Sequence, residues 1–473
     1  MLRQFFASVG SLVGARAFQA ISQVLALPIV ARYLPVEDFA VMALAMSVVI
    51  FGTMVSDGGL GRSLIRAKTY DRDEWSSVFW LLVLIGLGLA AAVAAFGPIW
   101  AWFFDLPQLI PVLAVMATFP LMQSLSAVPS AELERRERYP AIATIQTIST
   151  AIGLVAAIGL AVLGFGVWAL VWQQIALAAT RLAGLFAISH FRPNATFSMA
   201  LVRGHFGFAR DSIAVSFIQL FTWQMPVVVI GRVFGQIPLG QFAMAQRFTR
   251  LPNFGLAGPA STVVYVRMAK VQDDPARIAG LYLASMRLLA VILIPPMAMI
   301  SVAGEAIFTI LLSEQWAPVG LIFALTIPSF TTDAVVTTCM GAAFRATGRT
   351  TPYLRFMTEA MVLRVVLVLV MALHSFEAVA LAMSLSTLAM IPRGWSMMRE
   401  FAELTVGTCF RTLLPPLLVS AAFIAGFLAV ATLSPLGDIV QIAVAVAATL
   451  AAYGVLYLIS GKRLKADLNE FRG

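Results

Sequence analysis

Seven arginines lie well inside stretches that are otherwise apolar enough to cross a membrane: Arg16, Arg181, Arg210, Arg247, Arg250, Arg287 and Arg364. A charged side chain at the bilayer centre costs roughly 3 kcal/mol or more even on the lenient insertion scale, so these residues are expected to face something other than lipid. The same stretches hold four acidic residues, Asp57, Asp211, Asp333 and Glu359, and pairing among them leaves a cationic surplus. An anionic ligand would balance that surplus. Phosphate suits it well, because the planar guanidinium fork donates two parallel hydrogen bonds to phosphate oxygens.

Spacing gathers the candidates onto shared helical faces. Arg16, Gln19 and Gln23 recur at i, i+3 and i+7 in the first apolar stretch, and Ser212, Ser216, Gln219 and Trp223 form a similar face further on. Arg247 and Arg250, three residues apart, share a face of the following stretch and are the leading candidates for gripping a phosphate. With Arg210, Arg287 and Arg364 these residues are read as a substrate-binding lining. The plainer reading of the Ser and Gln stripes is hydrogen bonding between neighbouring helices. Arg32, Arg62, Arg232, Arg267 and Arg393 stand near stretch ends, within snorkelling reach of the interface. Two cysteines, Cys339 and Cys409, and three histidines are too few and too scattered for a metal cage or a disulfide framework. No catalytic set, metal site or cofactor is expected.

The elements that must position these side chains are membrane helices. The 473 residues are 60% hydrophobic and 12% charged, with mean hydropathy +0.91, whereas about a quarter of a soluble domain is charged. Apolar runs of about 20 residues match helices crossing a ~30 Å hydrocarbon core, not barrel strands. The expected fold is an all-α polytopic membrane protein with spans near 8–32, 39–62, 76–97, 108–131, 141–162, 167–189, 205–233, 240–267, 278–303, 319–343, 353–373, 377–398, 411–433 and 439–460, fourteen in all. The first of these is read as a span and not as a removable signal. Of the 32 lysines and arginines, 20 fall in the N-terminus, alternate loops and C-terminal tail, and the opposite loops hold none. That asymmetry puts both termini in the cytoplasm.

An offset of 200 residues aligns Gln19–Arg32 with Gln219–Arg232, and six spans separate the copies. The repeat is therefore parallel, about an axis along the membrane normal. It predicts two six-helix lobes, residues 1–200 and 201–400, with the last two spans and a cytoplasmic tail in 401–473. The ligand site is expected between the lobes. Pro226, Pro252, Pro295 and Pro296 interrupt spans seven to nine. The runs Pro98–Phe104 and Gly304–Pro318 are read as outer segments with Trp anchors at the interface. Asn194-Ala195-Thr196 matches a glycosylation sequon, but its loop is cytoplasmic by the charge rule, so the match is read as chance.

The stretch ALPIVARYLPVEDFAVMALAMSVVIFGTMVSDGGLGRSLIR resembles the opening of bacterial polysaccharide-transport flippases of the multidrug/oligosaccharidyl-lipid/polysaccharide exporter superfamily. AELERRERYPAIATIQTIS, VVVIGRVFGQIPLGQFAMAQRFTRLP, VYVRMAKVQDDPAR and CMGAAFRATGRT continue the resemblance in matching order, over nearly the whole chain. It implies a V-shaped bundle with spans one to six and seven to twelve around a cationic cavity. It also implies movement of an undecaprenyl-pyrophosphate-linked oligosaccharide between leaflets of the bacterial inner membrane by alternating access. By this analogy Arg16, Arg247 and Arg250 meet the pyrophosphate. The implied partners are that anionic lipid-linked oligosaccharide, membrane lipids, and polysaccharide polymerase and export machinery, with no nucleic acid. Drug-exporting relatives couple transport to protons or sodium through membrane carboxylates. The first span here has none, which leaves Asp57 and Asp211 as substitutes.

Three other functions compete. A cation-coupled multidrug exporter shares the fold, but its usual cationic substrates would be repelled by this interior. A membrane-embedded glycosyltransferase or polymerase needs catalytic carboxylates or a large polar outer loop, and the longest outer loop holds only Glu305 and Glu314 as ionisable residues. A purely structural scaffold has no use for costly intramembrane charge.

Overall fold

The computed structural model describes residues 14, 18, 19, 22, 25–57, 60–66, 70–202, 206–251, 253–433 and 437–470. Among them every regular element is helical, and the chain divides into two compact units, Met1–Gly240 and Gln241–Gly473.

The first unit contains α1 (25–33), α2 (Val36–Asp57), α3 (Leu60–Arg66), α4 (Arg72–Phe104), α5 (Leu109–Met116), α6 (Thr118–Arg135), α7 (Tyr139–Val162), α8 (Val167–Ile188), α9 (Met199–Val202) and α10 (Phe206–Phe234). Its last residues begin α11 (Gln236–Thr249). The centre is α2, whose Phe39, Ala40, Val41, Leu44, Ala45 and Val49 are buried against α4, α5, α6, α8 and α10. α10 packs on α2 within the first unit. Gly240, inside α11, lets that helix pass close to the start of α2, because a Cβ there would clash with the Val36 carbonyl oxygen.

Local sequence chemistry sets the helix ends. Asp71 caps α4 by accepting from the Asp73 amide at 2.9 Å, and Asp105 ends it in the left-handed region at φ 56°. The run Pro98–Phe104, expected as an outer segment beyond the third span, forms the last turns of α4. Trp100 Nε1 donates to the Leu44 carbonyl at 3.2 Å, while Trp102 is exposed.

The connector between α8 and α9 is strapped onto the first turns of α4. The Asn194 and Ser198 amides donate to the Ser76 and Ser77 hydroxyls, each at 3.0 Å, and the Trp80 indole donates to the Asn194 carbonyl at 2.7 Å. Asn194 Nδ2 and Thr196 Oγ1 both donate to Asp73 Oδ1, at 3.2 and 2.9 Å. The apparent sequon thus has a packing role of its own.

The second unit continues α11 through a π-helical turn, Asn253–Ala257, into α12 (Gly258–Ala269). Then follow α13 (Pro275–Val302), α14 (Gly304–Leu311), a 3₁₀ turn (Glu314–Trp316) and α15 (Val319–Thr332). A second π turn, Asp333–Thr337, leads to α16 (Thr338–Ala346), followed by α17 (Thr350–Met371), α18 (Phe376–Met398), α19 (Val406–Leu433) and α20 (Asp438–Glu470). The core is built on Tyr282, Phe344 and Trp395, and the Trp395 indole donates to the Tyr282 hydroxyl at 2.8 Å. Trp316, expected at the membrane interface, is fully buried.

Eleven helices among the described residues are long and apolar enough to cross a membrane, against fourteen expected spans. The expected first span lies largely outside the described residues. The eighth is the broken α11–π–α12 rod with Arg247 and Arg250, and the eleventh is α17, which carries Arg355, Glu359 and Arg364. Three charged side chains keep α17 from being an apolar span, whereas α11 and α12, of 14 and 12 residues, are each too short to cross alone.

Candidate substrate-binding site

Arg247 and Arg250 stand at the C-terminal end of α11, Arg247 exposed and Arg250 half-buried. One turn earlier Gln246 is 7% exposed, and its Oε1 accepts from Arg250 Nη2 at 2.9 Å. A neutral amide orients the guanidinium without cancelling its charge. Among the described residues, the Gln246 amide nitrogen is buried without a hydrogen-bond partner.

The first π turn begins immediately beyond Arg250. The Asn253 amide donates to the Arg250 carbonyl at 3.2 Å, and its side-chain Nδ2 donates to Asp333 Oδ2 at 2.7 Å. Asp333 opens the second π turn, the two turns pack against each other, and Thr338 Oγ1 donates back to the Asp333 carbonyl at 2.8 Å. Such turns release a helical carbonyl from its usual bond and recur at functional sites.

Arg364 on α17 is buried and interacts electrostatically with Asp333. Its Nη2 donates to Thr387 Oγ1 at 2.5 Å and Ser329 Oγ at 3.3 Å, and its Nε donates to Ser386 Oγ at 3.2 Å. Ser386 and Thr387 spend their own protons on the Met383 carbonyl, at 2.9 and 3.0 Å, which turns their lone pairs toward the guanidinium. A buried cation is thereby solvated by hydroxyls from α15 and α18, and the charge-assisted donors account for its tolerance inside an apolar bundle.

The other sequence candidates have separate settings. Arg287 on α13 ends in an ion pair with Asp467 of α20, its Nη1 lying 2.7 and 2.6 Å from the two carboxylate oxygens. Gln19 accepts from Gln146 Nε2 at 3.3 Å, a contact between polar side chains of the kind the plainer reading of the stripe anticipates. Gln219 is exposed and Trp223 half-buried on α10. Arg16 and Gln23 lie outside the described residues, as do the side chains of Asp57, Arg210 and Asp211, which stand on α2 and α10. Glu359 is shared by Arg355, whose Nε donates at 2.9 Å, and Arg393, whose Nε and Nη2 donate at 2.9 and 3.1 Å.

Sequence reasoning therefore missed Gln146, Gln246, Asn253 and Asp467, and counted Asp333 without giving it a role. Gln246 was open to discovery, because it sits at i−4 from Arg250. Nothing in the local sequence announces either π turn, or a tail carboxylate that reaches back to α13.

Long apolar helices with arginines held on internal polar partners define a polytopic membrane protein, and its fold is that of known transporters. The solved structure of the lipid II flippase MurJ in its inward closed conformation superposes with TM-score 0.76 at 14% identity, covering 94% of this chain and 98% of that one. An inward-facing multidrug resistance MATE family transporter of the MOP superfamily gives 0.64 at 15% identity, covering 82% and 97%. Among sequences, the chain is 31% identical over 294 residues to the succinoglycan biosynthesis transport protein ExoT of Rhizobium meliloti, a match that takes in 61% of this chain and 59% of that protein's length. Residues 29–320, more than half of the chain, match the family described as polysaccharide biosynthesis protein, and the chain belongs to that family. The sequence relative and both structural neighbours are transporters by name.

Proposed function

We propose that the chain flips an undecaprenyl-pyrophosphate-linked oligosaccharide repeat unit from the cytoplasmic to the periplasmic leaflet of the bacterial inner membrane for polysaccharide biosynthesis. The observation that carries this reading is the arginine pair of α11, with Arg250 oriented by a neutral amide. A pre-oriented fork loses less side-chain freedom when a diphosphate arrives, so more of the contact energy remains for binding. Family membership and the transport named for its relative ExoT support the same direction. In this reading Arg247 and Arg250 take the diphosphate, with Arg16 and Arg210 as further cationic contacts. Two lobes, residues 1–200 and 201–400, alternate access from a topology with both termini in the cytoplasm. Asp57 and Asp211 are the candidates for ion coupling, and the polymerase and export machinery are the partners downstream.

The test is the double charge reversal Arg247→Glu with Arg250→Glu. Polysaccharide export should be abolished while the protein remains in the membrane at the wild-type level. Normal export from that variant refutes the assignment, and a change in drug susceptibility on deletion would favour the multidrug exporter instead.

A further inference from the structure

The arginine pair of α11 sits next to a defect in its own helix. A π turn adds one residue to the local ladder and turns everything beyond it by about 100° relative to an unbroken α-helix. The direction in which Arg247 and Arg250 point is therefore set by what holds the turn Asn253–Ala257. One identifiable restraint is the 2.7 Å bond from Asn253 Nδ2 to Asp333 Oδ2. Asp333 is itself fixed: Thr338 Oγ1 donates to its carbonyl at 2.8 Å, and its carboxylate interacts with an Arg364 guanidinium locked by Ser329, Ser386 and Thr387. The restraint thus runs from the α15–α17–α18 block, through one carboxylate and one amide, to the carbonyl of Arg250, which accepts from the Asn253 amide at 3.2 Å.

We infer that Asn253 and Asp333 are positioning residues for the arginine pair, holding the broken helix so that the two guanidinium forks present a diphosphate-matching geometry. Gln246 does the same directly, through its 2.9 Å bond to Arg250. The inference rests on the reading that Arg247 and Arg250 bind the diphosphate. Bidentate recognition is directional, and a displacement of about 1 Å is enough to cost on the order of 100-fold in a site that depends on alignment. Neither Asn253 nor Asp333 needs to touch the ligand to act in this way.

The experiment measures binding of inorganic pyrophosphate to the purified full-length chain by calorimetry, with a melting curve for each variant. The control Arg247→Gln with Arg250→Gln should abolish binding. Asn253→Ala, which leaves Asp333 with Arg364, should weaken binding about tenfold in a protein that still melts cooperatively. Asp333→Ala should do at least as much. Because it also strips Arg364 of its carboxylate, Asn253→Ala carries the test if that variant fails to fold. Arginine-dependent binding that Asn253→Ala leaves unchanged overturns the positioning role and spares the functional reading. Binding that does not depend on the arginines removes the functional reading and this inference with it.

Discussion

Replacing Arg287 or Asp467 separates a structural arginine from a substrate-binding one. The Arg287 and Asp467 side chains are 20% and 10% exposed, and one guanidinium nitrogen contacts both carboxylate oxygens, at 2.7 and 2.6 Å. At an effective dielectric near 20 and charge centres about 4 Å apart, the attraction is about 4 kcal/mol, and the desolvation of two largely buried ions offsets part of it. A double-mutant cycle of Arg287→Gln and Asp467→Asn should therefore show coupling of about 2 kcal/mol. Each single change leaves a buried charge without its partner and should cost about 3 kcal/mol, lowering the melting midpoint of the purified protein by about 6 °C. The charge exchange Arg287→Asp with Asp467→Arg should regain most of the midpoint and, if Arg287 works only by anchoring α20 on α13, export as well. Coupling under about 0.5 kcal/mol would show that the ion pair does not form in solution. Recovered stability without recovered export would return Arg287 to the substrate-binding set.

Two further outcomes follow from polar contacts elsewhere. Arg364→Met leaves three hydroxyls without their common donor and removes the cation that interacts with the Asp333 carboxylate, so the melting curve should report a loss of about 3 kcal/mol, and Arg364→Lys should recover less than half because an ammonium lacks the fork; wild-type stability in either variant contradicts the network. Ser76→Ala with Ser77→Ala removes buried acceptors from the Asn194 and Ser198 amides, at about 1 kcal/mol or more for each orphaned donor, and should expose the α8–α9 connector to limited proteolysis; an unchanged cleavage pattern means that the strap is held by its other contacts.

The helices were legible because their code is local. Asp274 followed by Pro275 starts α13, with the Asp274 carboxylate accepting from the Arg277 amide at 3.0 Å, and Ser375 starts α18 by accepting from the Ala378 amide at 3.1 Å. Apolar runs between such signals mark the spans. The two π turns were not legible, since each inserts a residue into a helix without changing its composition, and the packing of neighbouring helices decides whether the insertion is tolerated. The strap on α4 escaped for a related reason. Asn194 and Thr196 were read as a pattern along the chain, whereas their shared partner, Asp73, lies more than a hundred residues away.

Charge shows the same boundary more sharply. Sorting arginines by depth in the apolar stretches identified real exceptions, because a cation inside the bundle must be solvated by something. Depth cannot say by what. Arg287 is answered by a carboxylate that sequence placed in the tail beyond the last span, and Arg364 by hydroxyls of two other helices together with Asp333. Glu359, counted once against the deep arginines, is taken up by Arg355 and Arg393, which the depth criterion had assigned to a loop and an interface. A surplus obtained by subtracting carboxylates from arginines therefore mixes cations whose needs are met by very different groups. In the α11 pair, Arg250 has a neutral amide among its partners, and the helix that carries it is braced by a hydrogen bond to a neighbouring π turn. A neutral amide at that contact adds no counter-charge, whereas a carboxylate in place of Gln246 would add one. Gln246→Glu should accordingly strengthen the hold on Arg250 while weakening pyrophosphate binding, and an affinity that rose instead would mean that the pair does not serve an anion.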